Sequence, residues 1–303
     1  MRLHLRADAS VALGLGHVLR SVALAENARE RDIDVRFVVG GADFGRRAVI
    51  ARGFAARPPT NGDIDWTADL DPGDLVVIDG PHLTHNVGPA HDRHARVAVI
   101  DDADGLHPAA DVVVCADRDV TSTGVSTTQR RLVGPDHALV RAEFRHFRGP
   151  AAAEPREILT ALGGTDPNGR LHALTVAVAR QARGRPVRSL PEALAATRAT
   201  VAEALVTAGA AVSAAGTLAW ELLCLGVPSA LVIAADDQEA PARIIDAAGA
   251  AVVLGTDEDA VTGEMAGLEA LFDRSARRDL SERGRALVDG GGPARVLDAL
   301  LAT

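Results

Sequence analysis

Short apolar runs alternate along the chain with longer segments of helical spacing, and this alternation predicts repeated strand–helix units. The first run, 3–6, precedes a glycine-containing loop and a segment, 17–31, whose apolar residues recur at the spacing of one helix face. Eight later runs rich in Val, Ile or Ala are also predicted as strands: 35–39, 75–79, 97–101, 112–115, 158–162, 211–213, 229–233 and 251–254. Because these runs lack polar alternation, they indicate strands buried in mostly parallel sheets.

A stretch richer in Arg, Gly and Pro, at about 144–155, interrupts this pattern before the pattern begins again. At 303 residues the chain is also longer than one hydrophobic core usually organises. We therefore expect an α/β protein of two Rossmann-like domains, residues 1–147 and residues 148–303.

Composition and charge narrow the classes of partner. Hydrophobic residues make up 47% and charged residues 24%, which is ordinary for a globular protein. The net charge of −9 disfavours a phosphate backbone as partner, because nucleic-acid affinity comes largely from clustered Lys and Arg. Aromatic residues make up only 3%, with no tyrosine, so stacking platforms for single-stranded nucleic acid are scarce. We expect no nucleic-acid partner.

The sequence also lacks the features of an exported or membrane-inserted chain. Charged residues interrupt the first ten positions, where a signal peptide needs an apolar stretch. The longest apolar run, 222–235, contains Gly226 and Pro228 and is too short to span a bilayer. Two cysteines far apart in sequence indicate no disulfide framework. We expect a cytoplasmic protein without membrane insertion.

Three glycine-containing loops follow predicted strands, at 12–17, 163–166 and 213–217. In a parallel sheet, ligands bind beyond the carboxyl ends of the strands, where helix N-termini favour anions. The first loop lacks the third glycine of the dinucleotide fingerprint, because position 19 is leucine. No Gly-Lys-Ser/Thr follows any of the loops, which argues against a P-loop nucleotidase.

His17 ends the first loop at the mouth of the first strand. An imidazole placed there is suited to take a proton from water or a hydroxyl, since its ordinary pKa is near neutrality. The alternative is a histidine that only lines or caps the start of a helix. Asp79 ends an apolar strand and is expected to point toward the same ligand.

The second and third loops offer glycine-exposed amides and hydroxyls for an oxyanion such as a diphosphate. Glu221, early in the following helix, is suited to accept hydrogen bonds from a ribose, although a carboxylate there also suits the helix dipole. The glycines have an alternative role as simple turns. The candidate nucleotide-binding residues of these loops are Gly163, Gly164, Thr165, Asp166, Ser213, Gly216 and Thr217.

Four histidines form two i, i+3 pairs near three aspartates and raise the question of a metal: His82, His85, His91 and His94, with Asp79, Asp101 and Asp102. A metal centre needs these groups to converge in space, which spacing alone does not show. Solvated loop and helix positions are the favoured explanation, and we expect no metal and no other cofactor.

The opening LRADASVALGLGHVLRSVALAENARERDIDVRFV, with its GLGH loop and the following Arg20, resembles the start of the UDP-2,4-diacetamido-2,4,6-trideoxy-β-L-altropyranose hydrolases of pseudaminic acid biosynthesis. Five further segments occur in the same order as in that family: LVVIDGPH, VIDDADGLHPAADVVV, LVGPDHALVRAEF, LTALGGTDPNG and SAAGTLAWELLCLGVPSALVIAADDQ. The family is similar to the GT-B superfamily that includes the lipid II-forming N-acetylglucosaminyltransferase. The resemblance therefore implies a GT-B fold.

The resemblance also implies roles for individual residues. His17 matches the base that directs water onto the anomeric carbon with inversion, and Asp79 matches a residue that positions water or sugar. Glu221 matches the ribose ligand of a C-terminal domain that holds UDP, and Gln238 closes the last matching segment. Five residues match the substrate pocket of the N-terminal domain: Arg6, Asp8, Gly14, Gly16 and Arg20.

The chain departs from the family in four places, one of which is Cys115-Ala116-Asp117, where the family has an asparagine-containing strand end. Gly163 and Ser213 are only 50 residues apart, about one strand–helix unit fewer than in the family, so we expect a shortened C-terminal domain. Gly80-Pro81-His82 stands where the family has an aromatic residue, and Ala215-Gly216 stands where it has two glycines.

Three functions follow from these observations. The leading hypothesis is a nucleotide-sugar hydrolase, most simply of a UDP-sugar, that releases free sugar and nucleoside diphosphate. The second is an inverting GT-B glycosyltransferase in which His17 deprotonates an acceptor hydroxyl. The third is a catalytically silent nucleotide-sugar-binding or partner protein, which the shortened C-terminal domain favours. The sequence does not define the oligomeric state.

Overall fold

The structure is a computed structural model that describes residues 1–60, 65–101, 110–117, 129–166, 169–197 and 199–303. The chain forms two compact units, one of Met1–Arg141 with Gly291–Thr303 and the other of Ala142–Gly290. The domain boundary expected between residues 147 and 148 stays a prediction. In the structure, the first unit ends at Arg141, and the last residues of the chain pack within that unit.

The first unit contains a parallel sheet, which in the described residues has seven strands in the order β3-β2-β1-β4-β5-β6-β7. Its strands are β1 Arg2–Ala9, β2 Asp34–Gly41, β3 Ala56–Arg57, β4 Leu75–Asp79, β5 Arg96–Ile100, β6 Val112–Cys115 and β7 Arg130–Val133. Its helices are α1 Gly16–Glu30, α2 Asp43–Ile50, α3 Val87–His91 and, at the end of the chain, α12 Gly292–Leu301.

Side-chain alternation along β1 explains how its two faces are used. Leu3, Leu5, Ala7 and Ala9 lie in the core that includes the buried residues of α1. The intervening residues, His4, Arg6 and Asp8, point to the other face. In register, Arg6 pairs with Ile78 of β4, whereas Ala7 pairs with Asp79. Asp79 therefore lies on the α1 side of the sheet, and Arg6 and Asp8 lie on the opposite side.

The last helix, α12, belongs to the core of the first unit. Val296, Leu297 and Leu300 are fully buried in the same cluster as the first strand and helix. Arg31, just after α1, donates to Asp298 at 2.6 Å. These contacts join the end of the chain to its beginning.

The second unit contains a smaller parallel sheet, in the order β12-β11-β10-β8-β9. Its strands are β8 Glu157–Ala161, β9 Val187–Ser189, β10 Gly209–Ala214, β11 Ser229–Ile233 and β12 Val252–Thr256. Its helices are α4 Ala142–His146, α5 Leu171–Gln181, α6 Leu190–Ala196, α7 Val201–Ala208, α8 Thr217–Leu225, α9 Glu239–Ala247, α10 Asp257–Thr262 and α11 Arg274–Leu287. In the described residues this sheet has five strands, against seven in the first unit, so the C-terminal half has the smaller sheet.

Each of the nine apolar runs predicted as strands overlaps an observed strand. The predicted helix at 17–31 is α1, and the stretch at 144–155 begins inside α4 and then continues without helix or strand. Three strands, β3, β7 and β9, were not predicted, and all three lie at sheet edges.

Candidate active site

His17, Arg20 and Asp79 meet at the carboxyl ends of β1 and β4. Asp79 is the last residue of β4, and His17 and Arg20 lie one turn apart on the same face of α1. His17 Nδ1 is 2.7 Å from Asp79 Oδ1. Arg20 donates from Nε to Asp79 Oδ2 at 2.7 Å and from Nη2 to Oδ1 at 2.6 Å, and its Nη2 is 3.0 Å from His17 Nδ1. The guanidinium thus donates hydrogen bonds to both oxygens of the Asp79 carboxylate, which the imidazole of His17 also contacts.

The electrostatics of this group fix the ionisation of Asp79. Burial of Asp79, which is complete, opposes ionisation, but the charge of Arg20 and the hydrogen bonds from Arg20 and His17 outweigh it and lower the pKa of the carboxyl. An ionised Asp79 accepts the Nδ1–H of His17, which leaves the lone pair on Nε2. This tautomer is assigned from the hydrogen-bond network. The His17 side chain is 14% exposed, so the ring retains access to solvent.

The loop before α1 is folded tightly enough to present His17 at the start of that helix. Gly14, with φ of 70°, donates its amide to Ser10 O at 2.8 Å, and Leu13 donates to Ser10 Oγ at 3.0 Å. Gly16 is the first residue of α1, and the residue before it provides no side-chain cap. The positive φ at Gly14 is the conformation that glycine adopts without steric cost.

Arg6, Asp8 and His82 form a second cluster at the same edge of the sheet. Arg6 is buried, pairs through Nη1 with Asp8 Oδ1 and donates to Ala7 O at 2.9 Å. His82 Nε2 is 2.9 Å from Asp8 Oδ2. Burial raises the pKa of Asp8, but the hydrogen bonds from Arg6 and His82 outweigh burial and lower it. The two predicted pocket residues thus have a histidine partner that sequence spacing did not indicate.

Gly40 of β2 makes room for this second cluster. It pairs with Asp8 across the strands, and a Cβ placed on it would overlap Asp8 Oδ1. Any side chain at position 40 therefore has to displace the Asp8 carboxylate from Arg6. In the sequence, this position is marked by the Gly40-Gly41 pair that ends a buried strand, although no role was predicted for either glycine.

The candidate nucleotide loops of the second unit follow three neighbouring strands, β8, β10 and β11, at one edge of the sheet. In the first loop, Gly163 has φ of 97° and, like Gly164, is exposed, with Thr165 beside them. Asp166 accepts from the backbone amides of Arg170 at 2.9 Å and Leu171 at 3.0 Å. Both Asp166 oxygens thus stabilise the start of α5, while the exposed glycines remain accessible.

The loop after β10, which contains Gly216, and the loop after β11, which contains Gln238, come together at the Gln238 side chain. Its Oε1 accepts from Ala234 N at 3.0 Å, and its Nε2 lies 3.6 Å from where a Gly216 Cβ would stand. Gly216 precedes α8 without a side-chain cap, and Thr217 begins that helix. Ser213 is buried, and its hydroxyl donates to Ala214 O at 3.2 Å. Gly216, Thr217 and Gln238 are therefore grouped, whereas the Ser213 hydroxyl is directed into the backbone.

Glu221 lies in the second turn of α8 and is only 1% exposed. Burial, with the carboxylates of Asp289 and Glu221, raises the pKa of Cys224 to about 11, so this thiol stays protonated at neutral pH. The ribose contact of Glu221 stays a prediction.

The remaining histidines make separate contacts. His91 Nε2 is 3.1 Å from Asp111 Oδ2, and His85 donates from Nδ1 to His82 O at 3.0 Å. Across the part of the chain that the structure describes, no three His, Cys, Asp or Glu side chains are placed to share a metal ion. Asp102, one of the three aspartates considered for a metal, lies outside the described residues.

In the described residues, no helix combines the length and the apolar character that crossing a membrane requires.

No family model matches the sequence, and no curated protein matches it. Solved structures do match over essentially the whole chain. MurG of Acinetobacter baumannii is 18% identical, with a TM-score of 0.63 and 100% of both chains covered. Spinosyn rhamnosyltransferase SpnG complexed with thymidine diphosphate is 15% identical, with a TM-score of 0.56, covering 98% of this chain and 100% of that one. The glycosyltransferase SnogD from Streptomyces nogalater is 17% identical, with a TM-score of 0.54 and 99% of both chains covered.

These likenesses define the class of fold. The two parallel-sheet α/β domains, of seven and five strands, match the structures of GT-B glycosyltransferases. The expected fold class is therefore confirmed.

Proposed function

We propose that the chain is an inverting glycosyltransferase that uses a nucleotide-sugar donor, with His17 as the catalytic base. The observation that carries this proposal is the buried, ionised Asp79, which accepts the Nδ1–H of His17 and leaves Nε2 free to take a proton. The match to several glycosyltransferase structures supports the same class of reaction.

In the proposed step, Nε2 of His17 removes the proton of an acceptor hydroxyl while the hydroxyl oxygen forms a bond to the anomeric carbon. The bond between that carbon and the phosphate oxygen breaks, and its electron pair leaves with the nucleoside diphosphate. Attack from the opposite face inverts the configuration. Asp79 stabilises the imidazolium that forms, and Arg20 keeps the carboxylate oriented and charged.

We assign the nucleotide to the second unit. The grouped Gly216, Thr217 and Gln238 and the exposed Gly163–Gly164 amides offer donors to a diphosphate. One matching glycosyltransferase was solved with thymidine diphosphate. The sequence resemblance favours UDP, so both nucleotides belong in the test.

Hydrolysis is the second candidate, and the resemblance of the 5–38 segment to nucleotide-sugar hydrolases favours it. In that reaction water replaces the acceptor hydroxyl, and His17 performs the same proton transfer. The two reactions therefore differ in the acceptor and not in the base.

The test is a panel of UDP- and dTDP-sugars, each incubated with and without sugar, lipid-linked sugar and aglycone acceptors. We expect nucleoside diphosphate release that an acceptor accelerates, with a new glycoside detected by mass spectrometry. Release that no acceptor accelerates, with free sugar as the product, selects the hydrolase. Binding of UDP or dTDP without any turnover selects a silent binding protein, and overturns both reactions.

His17→Ala tests the base directly. It should lower turnover by about 10²–10⁴-fold, because it removes a general base. Affinity for the nucleotide, measured by calorimetry, should stay unchanged. Full activity in this variant overturns the assignment of His17.

A further inference from the structure

His82 is the exposed end of a cluster in which Arg6 is buried and Asp8 is half-buried. Its side chain is 45% exposed, against 18% for Asp8 and 2% for Arg6. It lies three residues beyond Asp79, at the edge of the sheet where His17 also lies. Among the contacts of the described residues, its Nε2 is bonded to Asp8 and its Nδ1 has no protein partner. An oriented ring with one nitrogen open is suited to meet a ligand.

The surroundings of His82 are shaped around this arrangement. Gly40 leaves the space that Asp8 needs beside Arg6, and a Cβ on Gly80 would approach His82 Cε1 to 3.0 Å. Gly40 and the buried Arg6 thus fix the carboxylate that orients the ring, and Gly80 leaves room for the ring itself. A histidine that is merely solvated requires none of these features.

We propose that His82, oriented by Asp8 and Arg6, binds a hydroxyl group of the donor sugar. This inference rests on the proposed function, and it concerns recognition of the sugar, not the transfer of the proton. Because the ionised Asp8 accepts from Nε2, that nitrogen carries hydrogen, and Nδ1 of the neutral ring is then a hydrogen-bond acceptor.

The charge of the cluster selects a hydroxyl over an anion. Arg6 and Asp8 neutralise each other, so a neutral His82 leaves the cluster uncharged. A phosphate or carboxylate offers only acceptors to an acceptor nitrogen, whereas a sugar hydroxyl offers a donor. With the ring neutral, a sugar hydroxyl therefore fits the open nitrogen better than the nucleotide diphosphate does.

The experiment compares His82→Phe with the wild-type chain. Phenylalanine keeps a ring and removes both nitrogens. Because the position is exposed, the variant should fold as the wild type does, which a thermal melt checks. His85→Ala is the matched control, because His85 is an exposed histidine of the same turn that bonds the turn's own backbone.

Calorimetry then measures affinity for UDP, dTDP, UDP-glucose, UDP-N-acetylglucosamine and dTDP-glucose. In His82→Phe, we expect affinity for the sugar nucleotides that the wild type binds to fall by about 3- to 10-fold, as for one lost hydrogen bond. Affinity for UDP and dTDP should not change, and His85→Ala should match the wild type throughout. In turnover assays, KM should rise more than kcat falls.

Monodeoxy analogues of the best sugar identify the hydroxyl. One analogue should bind the wild type more weakly yet lose nothing further in His82→Phe, because the two changes remove the same contact. Equal loss for UDP and for UDP-sugars, or no loss at all, overturns the sugar contact while leaving the proposed function intact. Absence of any nucleotide binding by the wild type overturns both.

Discussion

Asp79 is the residue on which the candidate active site depends, because its charge is buried and its carboxylate contacts both Arg20 and His17. A buried carboxylate is ionised only when strong partners compensate for lost hydration. Arg20 supplies two hydrogen bonds and a fixed positive charge, and His17 supplies a third bond. The sequence resemblance placed Arg20 in the substrate pocket, whereas its guanidinium in the structure is directed to Asp79. We therefore treat Arg20 as a positioning residue.

Replacing Arg20 with methionine should move the pH dependence of activity. Without the guanidinium, burial raises the pKa of Asp79, and the His17–Asp79 pair binds a proton more readily. The acid limb of kcat/KM should shift to higher pH, with kcat lower by about 10- to 100-fold at neutral pH. Arg20→Lys keeps the positive charge but loses the bidentate hydrogen bond to Asp79. The acid limb of its pH profile should therefore shift less than that of Arg20→Met. An unmoved acid limb in Arg20→Met contradicts this role.

The buried His4 should make stability depend on pH. Its Nε2 lies 3.2 Å from Asp74 Oδ2, yet burial outweighs this partner and lowers its pKa below 6.5. Burial also lowers the pKa of His137. The unfolded chain therefore binds more protons below the ordinary histidine pKa, so the free energy of unfolding should fall as the pH decreases through that value. Each group contributes at most about 1.4 kcal/mol per pH unit.

Urea unfolding between about pH 7.5 and about pH 5.5 measures this effect. The pKa values of Asp8, Asp74 and Asp79 are lowered from 3.8, so their contributions are lost only at lower pH and do not enter this window. His4→Gln with His137→Gln should flatten the dependence. A free energy of unfolding that rises on acidification shows that the sign is wrong.

At the scale of strands and helices, the buried centre of each sheet was predictable, whereas three of the four edge strands in the described residues were not. Central strands such as β4 and β6 are apolar on both faces and read as continuous runs of Val and Ile. In the described residues, β3, β7 and β9 each have a neighbour on one side only, and Arg130 of β7 is exposed there. An edge strand needs no long apolar run, so the pattern that predicts strands is weak where a sheet ends.

In the candidate active site, too, local pattern predicted some residues and not others. His17 and Asp79 were predicted because a strand end and a glycine loop mark the ligand-binding edge of a parallel sheet. The contact of His82 with Asp8 joins residues 74 positions apart, and no local pattern specifies which loop meets which strand. Burial of Glu221 likewise depends on neighbours packed around α8, which periodicity does not reveal.

The C-terminal end of α8 tests how closely helices pack in the second unit. Gly226 has φ of 79°, and a Cβ there would lie 2.5 Å from Gly149 O and 2.9 Å from Ser281 Oγ. Gly226→Ala should lower the free energy of unfolding by about 2–4 kcal/mol, since left-handed strain and steric overlap both act.

Gly184→Ala is the matched control for that change. Gly184 has φ of 78°, but nothing lies within 4 Å of its Cβ position, so only the backbone strain applies. We expect a loss of about 1 kcal/mol there. Equal losses at the two positions, measured by urea unfolding, contradict the close approach at Gly226.

At the scale of the whole molecule, the chain ends in the unit in which it began. α12 places Val296, Leu297 and Leu300 in the core beneath β1 and α1, after the chain has built the entire second unit. No helix was predicted at 292–301 from the sequence, and local pattern does not identify the sheet that α12 covers. That assignment comes only from contacts between residues separated by most of the chain.

Leu297→Ala tests whether α12 stabilises the first unit. Leu297 is fully buried, so truncation should cost about 2–5 kcal/mol, whereas Leu301→Ala, at a partly exposed position of the same helix, should cost less. The two tryptophans separate the units, because Trp66 is buried in the first and Trp220 in the second. Variants that keep one tryptophan each therefore report on one unit by fluorescence.

In the protein that keeps Trp66, Leu297→Ala should move the urea midpoint to lower concentration. If the two units unfold independently, the midpoint reported by Trp220 stays in place; if they unfold together, both midpoints move. In either case the signal of Trp66 has to respond, because the cavity forms in the core that contains β1. A shift seen by Trp220 without one seen by Trp66 assigns α12 to the second unit, and contradicts the packing described for the end of the chain.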